Sequence, residues 1–369
     1  MLERIKSNCS RRLPVRRTAA VFRAAEPAAA VTQFQGHPNN SRAAAGLRHS
    51  RCPGQVNGHS FIETALKTIS FAVIALAIFT SCSTVSPASG EAARQLKNAP
   101  VPSAGCGKAL VEFKRGIYTN TMTSAGLSRQ YIIDIPANYD PNKPCRLIFA
   151  MHMMGGNMNT MVNNKFYGLK TYAARDHVPV IFVAPQGYTD QMPWRTRDDK
   201  DHVFFADMLA LFKDKLSVDT SRVFCCGFSF GSMVTYSLSL DFQKELRAVA
   251  CYSPANWNIY LPTNRHERLA FYSTTGTQDG LCKYVNSDAL KQGGKYCVLT
   301  HLADNGVAVL PEIPVATTPT HVTTEFKGLP AEYPVVFGSF VGGHTDYASD
   351  PGSGDNWIAK ETWEFFMRF

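Results

Sequence analysis

Apolar positions along this chain fall into two patterns. Short unbroken runs recur at Arg146–Met151, Val178–Ala184, Arg222–Cys226, Arg247–Tyr252, Leu269–Tyr272 and Pro334–Phe340. Runs of this length, closed by turn residues such as Pro185-Gln-Gly187, predict strands of a parallel sheet buried on both faces. Between them lie stretches with helical spacing. Asp201–Leu216 shows helical spacing of Phe204, Phe205, Met208, Leu209, Leu211 and Phe212. Phe166–Arg175, Ser232–Leu240 and Trp357–Phe366 read as further helices. Arg129–Ile135 reads as one more strand, ending in the turn cluster Pro136–Pro141. Leu299–Lys327 has no clear period and is expected to be an insertion or a hairpin. Strands alternating with helices at this rhythm predict the α/β class: one mostly parallel central sheet with helices on both faces.

The N-terminal part follows different rules. Residues 1–60 carry ten Lys/Arg against Glu3 and Glu26 and show weak apolar periodicity. They read as a disordered basic extension lying ahead of the true start. Within residues 61–88, Lys67 precedes the apolar segment Ile69–Thr80 and then the small residues Ser81–Ala88. That order is a secretory signal, and the apolar segment is short for a membrane span. A single membrane anchor is the competing reading. Phe79-Thr-Ser-Cys82 loosely matches a bacterial lipoprotein cleavage box, which would place a lipid anchor on Cys82. Residues 89–103 form a small-residue linker, and 104–369 the folded domain. The expected location is extracellular or periplasmic, or the outer membrane as a lipoprotein, with no stable membrane span in the mature form.

Composition narrows the function classes. The 369 residues are 45% hydrophobic and 18% charged, as in ordinary globular proteins. The net charge of +9 belongs to the tail, because from Ala104 onward 25 basic residues meet 25 acidic ones. No basic stripe interleaved with aromatics marks a nucleic-acid surface. Seven cysteines lie in the domain, with no zinc-type spacing. Neither a metal nor an organic cofactor is expected. Export makes disulfides plausible; Cys282 with Cys297 would close a short loop, and Cys106 would tie the N-terminal segment to Cys145.

The candidate chemistry centres on Gly227-Phe-Ser-Phe-Gly231, between the strand Arg222–Cys226 and the helix that follows. Strand, G-x-S-x-G, helix is a nucleophile elbow, in which a sharp turn lifts the hydroxyl of Ser229 above the sheet. A serine needs a base, and the base needs a carboxylate to fix its tautomer. In this arrangement the acid and then the histidine follow the serine. His266, His301, His321 and His344 are the histidines after Ser229. His344 sits in Val341-Gly-Gly-His-Thr-Asp346, straight after the last strand, and is the candidate base. Asp279, closing Tyr272–Asp279, is the candidate acid, with Asp288 and Asp304 as alternatives. Backbone N–H of Phe230 and of Met154 or Met153, in the His152-Met-Met-Gly-Gly156 loop, are candidate oxyanion donors. Trp194, Phe228, Trp257 and Tyr260 are candidate substrate-binding aromatics on the loops near the site.

These motifs, together with Gly105-Cys-Gly-Lys108, Gly276-Thr-Gln-Asp279 and Gly343-His-Thr-Asp-Tyr347 followed by Asp350-Pro-Gly-Ser-Gly-Asp-Asn-Trp357, resemble secreted feruloyl esterases of the carbohydrate esterase type. They are also similar to polyhydroxybutyrate depolymerase-like esterases. The resemblance spans about Ala104–Phe369. It implies an α/β-hydrolase fold, the triad Ser229, Asp279 and His344, and hydrolysis of hydroxycinnamoyl esters on plant cell-wall polysaccharide or its oligosaccharides. A short-chain polyester and acetylated xylan are the alternative substrates. A secreted binding protein on a hydrolase scaffold is the alternative of another class. Ser232 departs from the family pattern, where many members carry a further glycine.

Overall fold

The computed structural model describes residues 99–189 and 191–369. The basic extension, the signal segment and Cys82 lie outside the described residues. The domain is built on a nine-stranded sheet ordered β1-β2-β4-β3-β5-β6-β7-β9-β8. In chain order these are β1 (Gly116–Ser124), β2 (Leu127–Ile135), β3 (Cys145–Met151), β4 (Val180–Pro185), β5 (Val218–Phe228), β6 (Ala248–Tyr252), β7 (Ala270–Gly276), β8 (Val322–Glu325) and β9 (Val335–Phe340). The six central strands from β4 to β9 run parallel, while β1, β2 and β8 are antiparallel to their neighbours. Every central strand is fully or almost fully buried, which explains why each reads as an unbroken apolar run.

Among the described residues, six helices cover the sheet: α1 (Met158–Asn163), α2 (Leu169–Arg175), α3 (Lys200–Lys215), α4 (Phe230–Leu238), α5 (Gly294–Asp304) and α6 (Trp357–Phe366). Successive strand residues point to opposite faces, so the sheet carries two cores. Phe149 and Cys225 join Phe204, Phe212, Met233 and Leu302 of α3, α4 and α5 on one face. Ile148, Phe224 and Cys226 join Met161, Leu169, Trp363 and Phe366 of α1, α2 and α6 on the other.

The sequence expectation differs from the structure in four places. β1 went unpredicted. Its side chains alternate between exposed and half-buried on an edge strand, and Ala125-Gly126, both with positive φ as a type I′ turn requires, join it to β2. The unpatterned Leu299–Lys327 divides into the end of α5, an irregular climb and the four-residue β8. The helix expected from Phe166 begins only at Leu169. Lys165, Phe166, Tyr167 and Gly168 have φ of 59°, 54°, 59° and 80°, a left-handed turn ahead of α2. Each non-glycine residue there costs about 1–2 kcal/mol. Packing holds the turn in place: Phe166 stacks on Phe182 at 4.9 Å, and the Tyr167 ring meets Tyr252 edge-on at 5.3 Å.

The fourth difference concerns the cysteines. All seven of the described residues are free thiols, so neither Cys282–Cys297 nor Cys106–Cys145 is bonded. Cys225, Cys226 and Cys251 are strand residues and Cys297 a helix residue in the interior, where a thiol serves as a small apolar group. Burial pushes Cys225 and Cys145 up to about 12.

His301 shows how costly a polar group in this interior is. It lies in α5, fully buried and stacked on Phe271 at 4.2 Å, with Nε2 2.8 Å from Ser239 Oγ. Burial lowers its pKa to about 4, with Asp304 opposing. An unfolded histidine titrates near 6.5. Below that pH the unfolded chain takes up a proton that the folded chain refuses until about pH 4. Stability is therefore lost as pH falls through this window, by on the order of 3 kcal/mol. His301→Gln should be less stable than wild type at pH 7.5, and urea midpoints measured from pH 7.5 to 4 should show the gap narrowing on acidification. A constant gap would show that His301 does not carry this acid sensitivity.

Candidate active site

The site forms where β3, β5, β7 and β9 end. β5 stops at Phe228 and α4 starts at Phe230, leaving Ser229 alone in the turn with φ 56° and ψ −121°. Its N–H donates to Tyr252 O (3.1 Å) and its carbonyl accepts from Met233 N–H (2.9 Å), so the unusual backbone is held on both sides. The flanking glycines are required by close approach. A Cβ on Gly227 would lie 2.3 Å from Gly231 O, and one on Gly231 would lie 2.0 Å from Met151 O.

His344 reaches the serine from the loop after β9. Its Nε2 is 2.8 Å from Ser229 Oγ and its Nδ1 is 2.7 Å from Asp279 Oδ2. The carboxylate accepts at Nδ1, which places the proton there and leaves Nε2 to accept from the serine hydroxyl. The imidazole also packs on the Phe228 ring at 4.6 Å. Asp279 Oδ1 accepts from Leu281 N–H (2.9 Å) and Cys282 N–H (2.8 Å). Burial works to raise the Asp279 pKa, but the bonds from His344 and the Cys282 N–H outweigh it and hold the carboxyl below the ordinary carboxylate range.

The loop bearing His344 is anchored at its far end. His321 Nδ1 lies 2.7 Å from Asp350 and its Nε2 3.0 Å from Glu361, while its ring stacks on Trp357 at 4.1 Å. Asn356 Oδ1 accepts from Ala348 N–H at 3.2 Å. The alternatives to Asp279 lie elsewhere: Asp288 bonds the Tyr296 hydroxyl, and Asp304 bonds His266 and Asn264.

The loop after β3 is braced from below. Gly187 N–H donates to His152 Nε2 (2.9 Å), so Nδ1 carries the ring proton and donates to Met153 O (2.9 Å). Gly156 N–H donates to the same carbonyl (3.1 Å). In a trans peptide the N–H points opposite to the C=O, so the Met154 N–H is turned away from these partners. Phe230 is the first residue of α4 and its N–H has no intrahelical partner. The Trp194 indole donates to His152 O (2.9 Å) and its ring packs on the imidazole; it lies beneath the loop, not on the surface. Phe228 touches His344, and Trp257 is half-buried against the α3–α5 core. Tyr260 packs on His202 and accepts from Ser237, about two helical turns from Ser229.

Two neighbours were not foreseen. Burial pushes the Cys282 thiol up to about 12, with the Asp279 charge adding to the rise and the Ser229 hydroxyl opposing it. It is therefore a neutral thiol beside the triad, not a rival nucleophile. Tyr167 donates from its hydroxyl to Met151 O (2.7 Å). Position after Asp279 was a usable signal for Cys282; nothing in the sequence marked Tyr167. Among the described residues no cluster of His, Cys, Asp or Glu could hold a metal ion.

A nucleophile elbow, a Ser–His–Asp relay and a mostly parallel sheet together define a serine hydrolase of the α/β-hydrolase class. No family model matches the sequence. The chain is 30% identical over 281 residues to feruloyl esterase D of Neurospora crassa, covering 73% of this chain and 92% of that protein. It is 31% identical over 270 residues to feruloyl esterase C of Emericella nidulans, covering 72% and 91%. Among solved structures it is similar to an acetyl xylan esterase from Aspergillus awamori, with TM-score 0.49 and 15% identity over 68% of this chain and 100% of that one. The chain belongs to the feruloyl esterase family, and thus to the carboxylic ester hydrolases.

The elbow contact generates a stability prediction. Gly231→Ala would drive a methyl group into the Met151 carbonyl, displacing backbone on both sides, at a cost of about 1–3 kcal/mol or more. Thermal denaturation should show the loss; an unchanged Tm would mean that the β3 end yields freely.

Proposed function

We propose that this chain is a secreted serine esterase that hydrolyses hydroxycinnamoyl esters on plant cell-wall polysaccharide through an acyl-enzyme. The reading rests above all on His344, which lies within hydrogen-bond distance of both Ser229 and Asp279. Ser229 Oγ attacks the ester carbonyl while His344 Nε2 takes its proton. Asp279 orients the ring and stabilises the imidazolium. The N–H groups of Phe230 and Met154 receive the oxyanion. His344 then protonates the sugar oxygen as its bond to the acyl carbon breaks, and the sugar leaves as the alcohol. Water, deprotonated by the same imidazole, releases the hydroxycinnamic acid and restores the serine.

The substrate class is supported by the names of the relatives and by the surface beside the triad. Met154 and Leu281 are 44% and 72% exposed on two loops that supply site residues. Apolar side chains there suit an aromatic acyl group better than a charged one. Export is supported by the apolar segment Ile69–Thr80 and the small residues after it; no helix of the described residues is long and apolar enough to cross a membrane.

Ser229→Ala should lower turnover of methyl ferulate by roughly 10⁴-fold or more, and a serine-directed phosphonate should label wild type at Ser229 alone. Residual activity within tenfold of wild type would remove the serine from the reaction. Asp279→Asn should cost on the order of 10³–10⁴ in kcat by presenting the wrong imidazole tautomer. Rates compared on methyl ferulate, p-nitrophenyl acetate and a hydroxybutyrate oligomer assign the acyl group; a preference for the oligomer would overturn the hydroxycinnamoyl reading.

A further inference from the structure

Tyr167 belongs to none of the groups assigned to the reaction, yet its hydroxyl lies at the junction of the two halves of the oxyanion site. Ser229 N–H faces β6, where it donates to Tyr252 O. Backbone groups alternate sides along a strand, so the N–H of Phe228 faces β3. Met151, the last residue of β3, pairs with Gly227, and its carbonyl is where a ladder bond from Phe228 would end. The Tyr167 hydroxyl enters this last rung. It accepts from Phe228 N–H at 3.2 Å and donates to Met151 O at 2.7 Å. Phe228 is two residues before one proposed oxyanion donor, Phe230, and Met151 is three before the other, Met154. The same Met151 carbonyl abuts Gly231, so its position bears on both.

The side chain comes from a part of the chain that does no chemistry. Tyr167 is the third residue of the left-handed turn Lys165–Gly168, a conformation that L-residues avoid in succession. Asn164 pins the turn, accepting Tyr167 N–H on Oδ1 (3.1 Å) and Gly168 N–H on its backbone carbonyl (2.9 Å). Gly168 is close-packed as well, since a Cβ there would lie 3.2 Å from the Ala359 methyl. Sustained strain of this kind points to a geometric role. Burial raises the pKa of the phenol well above its ordinary value, so the hydroxyl keeps the proton it donates.

We infer that Tyr167 is a positioning residue whose hydroxyl sets the gap between the nucleophile elbow and the oxyanion loop, aligning the N–H groups of Phe230 and Met154 on the developing oxyanion. The inference rests on the esterase reading above and adds a residue to it. Its action is confined to the transition state, because a planar ester carbonyl needs the two donors less than a tetrahedral oxyanion does.

The test uses Tyr167→Phe and Asn164→Ala in the full chain, with active sites counted by phosphonate titration so that only folded enzyme is compared. Tyr167→Phe should lower kcat on methyl ferulate by roughly 10- to 100-fold with KM within about twofold. The affinity of a boronic acid, which forms a tetrahedral adduct on the serine, should fall by the same factor as kcat/KM, while inhibition by planar ferulate should stay put. Asn164→Ala keeps the hydroxyl but loosens its seat, and should move kcat and boronate affinity together by a few-fold. It also provides the readout if Tyr167→Phe does not fold. Folded variants that keep kcat and boronate affinity within twofold would overturn the inference, as would equal losses for the boronate and for ferulate. Either failure would leave the esterase reading intact, since that stands or falls with Ser229→Ala.

Discussion

The site depends on how closely β3 and the turn after β5 are allowed to approach. The Met151 carbonyl lies against Gly231 so tightly that no side chain fits between them, and Gly227 abuts Gly231 within the turn itself. That closeness brings the loop after β3 and the first turn of α4 to the same point in space. It also forces Ser229 into a positive φ that a serine adopts only under restraint. The restraint comes from the sheet. Tyr252 O captures the Ser229 N–H on one side, and α4, whose nine residues are all buried, captures the carbonyl on the other. A surface turn could not hold this conformation, because nothing would oppose its relaxation.

The electrostatics follow from the same placement. Strand ends deliver Asp279 and His344 on neighbouring loops because β7 and β9 are adjacent parallel strands, even though 65 positions separate the two residues. The carboxylate survives burial because two backbone N–H groups and one imidazole N–H surround it. The bond made at the far nitrogen fixes the tautomer of each histidine near the site. For His344 that partner is a carboxylate, which leaves Nε2 to accept from the serine hydroxyl. For His152 it is the Gly187 N–H, which commits Nε2 as an acceptor and turns the ring into a brace. Both imidazoles thus carry the proton on Nδ1 and differ in what donates to Nε2, a serine hydroxyl for His344 and a backbone N–H for His152.

Much of this was legible in the sequence, for a physical reason. Parallel strands buried on both faces must be apolar throughout, so six of them stand out as runs, and the order Ser, Asp, His follows from which strands can end together. The helix Trp357–Phe366 was read to its true ends because its apolar face is continuous. What escaped notice was set by tertiary contacts. β1 lies at the sheet edge and has little buried surface to pattern it. The left-handed residues Lys165–Tyr167 carry no glycine until Gly168, so their helix-like composition misled. The thiols of Cys282 and Cys297 were read by spacing alone, whereas their surroundings decide their state: one beside Ser229, the other inside α5. Aromatics such as Trp194 and Tyr260 fall on loops, but loop position does not establish exposure; Trp194 is buried under the loop after β3 and Tyr260 closes over His202.

The two departures from ordinary backbone geometry meet at one atom. The positive φ of Ser229 and the left-handed turn before α2 lie more than sixty positions apart in sequence, yet Gly231 and Tyr167 both press on the carbonyl of Met151. Either distortion alone would relax by letting that carbonyl move. Held from both sides, the carbonyl has nowhere to go, and each distortion blocks the route by which the other would be relieved. The cores behind them complete the lock. Phe166 is seated on Phe182 and the Tyr167 ring on Tyr252, the residue whose carbonyl also holds Ser229. Tyr252 therefore touches both distortions at once, its ring bracing the turn and its backbone the elbow. A buried strand residue with no part in the chemistry thereby joins the strain in one segment to the geometry of the other.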